Sequence, residues 1–157
     1  MNTCMKIILA NHPAEYEIGS SMFSKYIDSL NFNLDFQNYE RELQNIETIY
    51  RSPTGALVLV KDFSGYVGCA GIRKFTDEIC ELKRTYVLPS KRGRGIGLLL
   101  LTACMDEARN LGYKHMYLDT HSSMKAAISL YLKNGFKDIP AYYDNPISET
   151  RYLAAEL

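Results

Sequence analysis

The sequence predicts one α/β domain in which strands outnumber helices, and three features carry that expectation. The length of 157 residues fits a single domain with a sizeable core. Two β-rich runs, Ala56 to Phe63 and Tyr66 to Phe75, face each other across Ser64-Gly65 as a hairpin would. A third run ends at Pro89, crosses a basic glycine turn and enters the leucine-rich stretch Leu98 to Leu101, which reads as strand, loop and helix.

The elements follow in order. Met5 to Ala10 is too short for the apolar segment of a signal peptide and reads as a first strand. Helical patterns near 15–30 and 36–47 are joined by the turn Asn31-Phe32-Asn33, and Arg51 to Gly55 is a loop before the hairpin. A fourth strand runs from Ile79 to Leu88. The helix that the glycine loop opens continues to Asn110, with Gly112 at its C-terminal end. His115 to Thr120 is a fifth strand. Ser122 or Ser123 is the expected cap of a helix over 124–134, which Asn134-Gly135 stops. Phe136 to Ile139 and Thr150 to Glu156 close the chain as strands, giving about seven strands and about four helices with no linker or repeat between them.

Composition excludes several classes. Lys plus Arg and Asp plus Glu are 18 each, and a net charge of zero argues against a general nucleic-acid or membrane-surface binder. No apolar run approaches the roughly 20 residues that span a bilayer. The four cysteines lie far apart, with no C-x-x-C pair and no histidine at zinc spacing, and read as reduced thiols. His12, His115 and His121 follow no ligand spacing, so no metal is expected. The expectation is a soluble, cytoplasmic protein with residues 1–157 in one domain.

Local positive charge at residues 91–94 therefore marks a site. In Lys91-Arg92-Gly93-Arg94-Gly95-Ile96-Gly97, glycines without a Cβ let backbone N–H groups approach a bulky anion. The new helix adds its unpaired donors and the positive end of its dipole, and Lys91, Arg92 and Arg94 add charge where phosphates would arrive. The pattern reads as a pyrophosphate cradle. A P-loop would end in Gly-Lys-Ser/Thr, whereas Gly95-Ile96-Gly97-Leu98 stands here. A dinucleotide fingerprint would sit near the first strand with different glycine spacing.

Arg92-x-x-Gly95-x-Gly97 after a strand, followed by Ala127-x-x-Leu130-Tyr131-x-x-x-Gly135-Phe136 after the next strand and helix, resembles the GNAT superfamily of N-acetyltransferases. With the β-α-α-β-β-β start, the likeness spans nearly the whole chain. It implies the GNAT fold: a mixed, mostly antiparallel sheet splayed between strands 4 and 5, with the pantetheine arm of acetyl-CoA in the gap. Cofactor contacts would fall on Tyr86, Val87, Leu88, Arg92, Gly93, Arg94, Gly95, Ile96, Gly97, Ser123, Ala127 and Tyr131. Many members carry Asn where this chain has Met124, so one side-chain contact to the cofactor is in question.

Acetyl transfer to an amine requires a neutral nucleophile, a stabilised oxyanion and a proton for the departing thiolate. A lysine-like amine has a pKa near ~10.4, so a carboxylate within reach, directly or through water, is needed to take its proton. Glu81 is the candidate; it lies six residues before Val87, on the same strand face unless a bulge intervenes. It could equally be a solvated carboxylate paired with Lys83 or Arg84. Tyr131 shares a helix face with Ala127, Leu130 and Asn134, and core packing explains its ring but not its hydroxyl. By resemblance that hydroxyl protonates the CoA sulfur, and a main-chain N–H near Tyr86 or Val87 receives the thioester oxygen.

The resemblance also frames the acceptor with Leu30-Asn31-Phe32-Asn33 and with Ala141 to Pro146. Phe32, Tyr142, Tyr143 and Asp144 could attract an amine through ring faces and a carboxylate, or could stiffen a turn. Asp35, Glu40, Glu42 and Glu47 read as a solvated acidic face. The expected function is acetyl transfer from acetyl-CoA straight to the primary amine of a small molecule. A protein-lysine or N-terminal acetyltransferase shares every motif, an acyltransferase for longer chains would prefer a larger thioester, and a non-catalytic acyl-CoA-binding module would keep the cradle alone. Membership also makes a homodimer plausible.

Overall fold

The computed structural model describes residues 4–34 and 38–157. Asp35, from the expected acidic face, and the first two residues of the helix expected at 36–47 lie outside the described residues. The order is β1 (Lys6–Leu9), α1 (Pro13–Asp28), α2 (Tyr39–Gln44), α3 (Ile46–Ile49), β2 (Ala56–Asp62), β3 (Gly65–Lys74) and β4 (Ile79–Val87). A 3₁₀ turn (Pro89–Lys91) then leads to α4 (Ile96–Asn110), β5 (His115–His121), α5 (Lys125–Lys133), β6 (Lys137–Ile139) and β7 (Thr150–Glu156).

The strands form one seven-stranded sheet in the order β1-β2-β3-β4-β5-β7-β6. All neighbours are antiparallel except β4 and β5. Ala56 to Val60 of β2 are buried without a break, as a strand covered on both faces requires. On one face α4 packs Ile96, Leu100, Leu101 and Cys104 over Val58, Val60, Ile72 and Leu82, and Tyr131 of α5 joins this core. On the other face α1 and α3 bring Tyr16, Phe23 and Ile46 onto Leu57, Leu59 and Cys69, with Tyr50 completing the cluster. Gly71 makes room there, since a Cβ would stand 2.5 Å from the Tyr50 ring. No described helix is long and apolar enough to cross a membrane.

The helix expected at 36–47 is broken at Asn45. The Asn45 side-chain amide donates to the Arg41 carbonyl at 2.8 Å, the local competition by which asparagine interrupts helices. The break lets Ile46 enter the core while Glu42 turns inward. Glu42 is 5% exposed, so it is not part of a solvated face.

Two irregularities position the site. β4 pairs with β5 only at Ile79–His115, Cys80–Met116 and Glu81–Tyr117. β5 then stays with β7 through His121 while the upper half of β4 stays with β3, so the sheet splays between them. Within β4, Cys69 faces Tyr86 but Gly71 faces Lys83, two residues against three, which is a bulge. Arg84 sits in it with φ of 57°, left-handed backbone for a non-glycine residue. The extra residue reverses the alternation: Glu81 shares a face with Lys83 and Tyr86, and Val87 points to the α4 side.

Candidate active site

A cleft of ≈ 900 Å³ fills the splay. Thr85, Tyr86 and Val87 of β4 form one wall, and Ser123, Ala127, Leu130 and Tyr131 at the start and along the face of α5 form the other. Arg92, Gly93, Gly95, Ile96 and Gly97 rim one end, and Phe32 from the loop after α1 borders it. Most residues expected at the cofactor are thus brought together. Leu88 is half-buried against both cores and Arg94 is exposed, and neither lines the cleft.

The glycine loop is shaped by its backbone. Gly93 and Gly95 have φ of 77° and 79°, a conformation L side chains rarely adopt. Gly95 is the N-cap residue of α4 and offers no side-chain cap, so the N–H groups of the first turn remain for an anion. The Arg92 Nε donates to the Val87 carbonyl at 3.0 Å and its guanidinium lies 5.7 Å from the Tyr86 ring centre, which holds the arginine along β4. Lys91 does not join the cradle. Its Nζ lies 2.8 Å from the Asp62 carboxylate at the end of β2. That contact, with a hydrogen bond from Ser64, holds the Asp62 carboxyl down at about 2.

Tyr131 is 6% exposed, and its ring packs at 5.5 Å from Phe136. Burial pushes its phenol well above the ordinary tyrosine value, with a hydrogen bond from Thr85 opposing the rise. A tyrosine hydroxyl is protonated at neutral pH at its ordinary value, and burial keeps it so. Neither Ser122 nor Ser123 caps α5. The cap position is Met124, whose sulfur accepts from Thr120 at 3.5 Å, while Ser123 Oγ and His121 Nδ1 are 2.6 Å apart.

Glu81 is not in this cleft. It lines a neighbouring hollow of ≈ 680 Å³ on the α1 side of β4, together with Tyr142, Tyr143 and Asp144. Its carboxylate accepts from Arg73 Nε at 3.0 Å and from the Tyr142 hydroxyl at 2.8 Å. Neither of the expected partners, Lys83 and Arg84, makes a hydrogen bond to it. Arg84 makes two hydrogen bonds to buried Glu42, at 3.2 and 2.7 Å, and the Tyr50 hydroxyl donates to the same carboxylate at 2.7 Å. Burial alone would raise the Glu42 carboxyl, but Arg84 and Tyr50 bring it below its ordinary value.

The segment between β6 and β7 straps the splay. Tyr142 reaches Glu81 on β4, while the Tyr143 hydroxyl donates to Asp119 on β5 at 2.7 Å. Tyr142 packs on Phe75, Tyr117 and Tyr152, with ring centres 5.2 to 5.5 Å apart. Sequence reasoning named Lys83 only as a partner for Glu81 and missed Asp119, which faces it across the splay at 3.8 Å. Asp119 falls on the less buried face of β5, where the alternation already places polar residues, so no local signal set it apart. Among the described residues no group of three or more His, Cys, Asp or Glu is placed to hold a metal ion.

A splayed sheet with a backbone cradle at a helix N-terminus and a buried tyrosine in the gap defines a class of acyl-transfer folds. The chain matches the Acetyltransferase (GNAT) family over residues 20–136. It is 33% identical over 147 residues to an uncharacterised N-acetyltransferase of Schizosaccharomyces pombe, covering 92% of this chain and 90% of that one. In structure it resembles an acetyltransferase from Streptococcus agalactiae, with a TM-score of 0.78, 21% identity and 98% of each chain covered. It also resembles a GNAT acetyltransferase from Elizabethkingia anophelis solved with acetyl-CoA bound, with a TM-score of 0.67, 21% identity and 98% of each chain covered. The protein belongs to the GNAT family of acetyltransferases, and its chemistry is acyl transfer.

Proposed function

We propose that this single-domain enzyme moves the acetyl group of acetyl-CoA directly to the primary amine of a small molecule, with both substrates bound together. The pyrophosphate rests on the N–H groups of Gly93 to Gly97 beside Arg92, and the pantetheine arm runs down the cleft past Ser123 and Ala127. The amine nitrogen attacks the thioester carbon and the C–S bond breaks. A main-chain N–H at Tyr86 or Val87, just beyond the bulge, stabilises the oxyanion, and Tyr131 gives its proton to the departing thiolate. Glu81 takes the amine proton through water, because it lines the neighbouring hollow and not the cleft itself.

The observation that carries this reading is the placement of Tyr131 in the same cleft that the glycine loop rims. A small acceptor is favoured over a protein chain by the strap. Phe32, Asn145 and Ile147 border a cavity of only ≈ 50 Å³ that adjoins the cleft. The test is thiol release from acetyl-CoA against polyamines, aminoglycosides, amino acids and lysine peptides. Release with one small-amine class, lost in Tyr131→Phe, is the expected result. Release with lysine peptides alone, or with no acceptor of any kind, overturns it.

A further inference from the structure

Lys83 is a buried charge whose hydrogen-bonding capacity is unused among the described residues. It is 5% exposed, it stands on β4 one residue before the bulge, and its ammonium makes no hydrogen bond among the described residues. The nearest carboxylate, Asp119 on β5, stands 3.8 Å away, beyond hydrogen-bond reach. Asp119 is committed on its other oxygen, where Oδ2 accepts from Tyr143 at 2.7 Å and lies 3.5 Å from the Asn145 amide. Oδ1, the oxygen nearest Lys83, accepts no hydrogen bond among the described residues.

A buried ammonium with three donors unused is costly, and burial lowers the Lys83 pKa below the ordinary lysine value despite Asp119. The cavity of ≈ 50 Å³ that Lys83 and Asp119 line has room for roughly three or four water-sized groups. It shares Tyr26, Leu30, Phe32 and His121 with the acetyl-CoA cleft, so a molecule seated in it lies beside the thioester path. A cation and an anion are thus held apart, each with bonding capacity left, in a space open towards the reacting group.

We propose that this cavity is the acceptor's head-group site, that it takes a free α-amino acid, and that the acceptor's carboxylate binds Lys83 while its ammonium meets Asp119. In an α-amino acid a single carbon separates the two charges, which matches facing groups a few ångströms apart. This reading rests on the proposed acetyl transfer to small amines and narrows it. A peptide N-terminus lacks the free α-carboxylate and a polyamine has none, so both are excluded as good acceptors.

The test is equilibrium binding by calorimetry to the protein saturated with CoA, using matched sets: an α-amino acid, its amide and the amine left by decarboxylation. Binding rather than turnover separates this inference from the catalytic one, since a failure of CoA binding or of thiol release would sink the latter alone. The amino acid is expected to bind roughly ten- to a hundredfold more tightly than its amide or its amine. Lys83→Met, which keeps the apolar stem, should erase that preference without changing CoA affinity, and Lys83→Arg should restore part of it. Unchanged CoA affinity shows that the variant is folded. Equal affinity across each matched set, no amino-acid binding to the CoA-loaded protein, or a preference that survives in Lys83→Met would each overturn the proposal.

Discussion

The two sides of the splay are built in different ways. The cofactor side is made of backbone: left-handed glycines, a helix N-terminus and strand N–H groups, with Arg92 as the charged side chain along it. The proposed acceptor side is made of side chains drawn from β3, β4, β5 and the strap before β7, and its charges face one another across elements. A backbone site needs a local run of residues and tolerates what surrounds it. A side-chain site exists only when the tertiary fold has delivered every member.

That contrast ranks the consequences of mutation. The largest effect is expected from Tyr131→Phe, which keeps the core ring and removes the proton donor. Turnover should fall by about 10²- to 10⁴-fold with acetyl-CoA binding little changed. Full turnover at neutral pH would remove Tyr131 from the chemistry and leave it a core residue.

Next in size is the buried network that holds the bulge. Glu42→Ala leaves the Arg84 guanidinium buried without its carboxylate and the Tyr50 hydroxyl without an acceptor. Breaking one side of such a pair costs about 3–5 kcal/mol, to be read as a fall in the urea midpoint. Because Arg84 sits in left-handed backbone just upstream of the proposed oxyanion donors at Tyr86 or Val87, turnover should fall along with stability. A loss of stability with unchanged turnover per folded molecule would show that the bulge does not need the ion pair. The sign of the pH effect follows from the lowered Glu42 pKa. Its contribution is present above the ordinary glutamate value and is lost as pH falls through the folded one.

Gly95→Trp tests the backbone side. The residue has φ of 79° with open space around it, so an added side chain strains the loop and projects into the approach of the phosphates. Acetyl-CoA affinity should drop about tenfold or more with the fold intact, measured by calorimetry. Unchanged affinity would break the pyrophosphate assignment.

How much was legible follows the same division. The hairpin about Ser64-Gly65, the strand–loop–helix at 79–110 and the Tyr131 face each depend on neighbours within a few residues, and all stand as expected. The bulge was foreseen only as an exception to the β4 alternation, because nothing local marks Arg84 for left-handed backbone and its partner Glu42 lies forty-two residues away. The inward turn of Glu42 was hidden for the same reason, since an acidic run looks solvated until its partner is known. Tyr142, Tyr143 and Asp144 were picked out as a group, yet their hydroxyl partners Glu81 and Asp119 lie on two different strands. The Met124 cap shows a third limit, where His121 takes Ser123 away from the role its sequence position suggests.

Lys91 gives the smallest effect and the finest probe of the boundary between the two kinds of site. Composition placed it with the phosphates, but Asp62 turns it to the back of the loop, where it pins the 3₁₀ turn before the cradle to the β2–β3 hairpin. The Asp62 carboxyl has its folded pKa depressed to about 2, against about 3.9 in an unfolded chain. Its stabilising contribution is therefore complete above about pH 4–5 and is lost as pH falls towards 2. Asp62→Asn should lower the urea midpoint slightly at pH 6, and the gap between mutant and parent should close as the pH falls through that window. The same variant frees Lys91 to swing towards the cleft, so acetyl-CoA affinity should change less than twofold or rise. A clear fall in affinity would mean that the pin, and not the glycines alone, sets the shape of the cradle, and the backbone side would then depend on tertiary delivery as the acceptor side does.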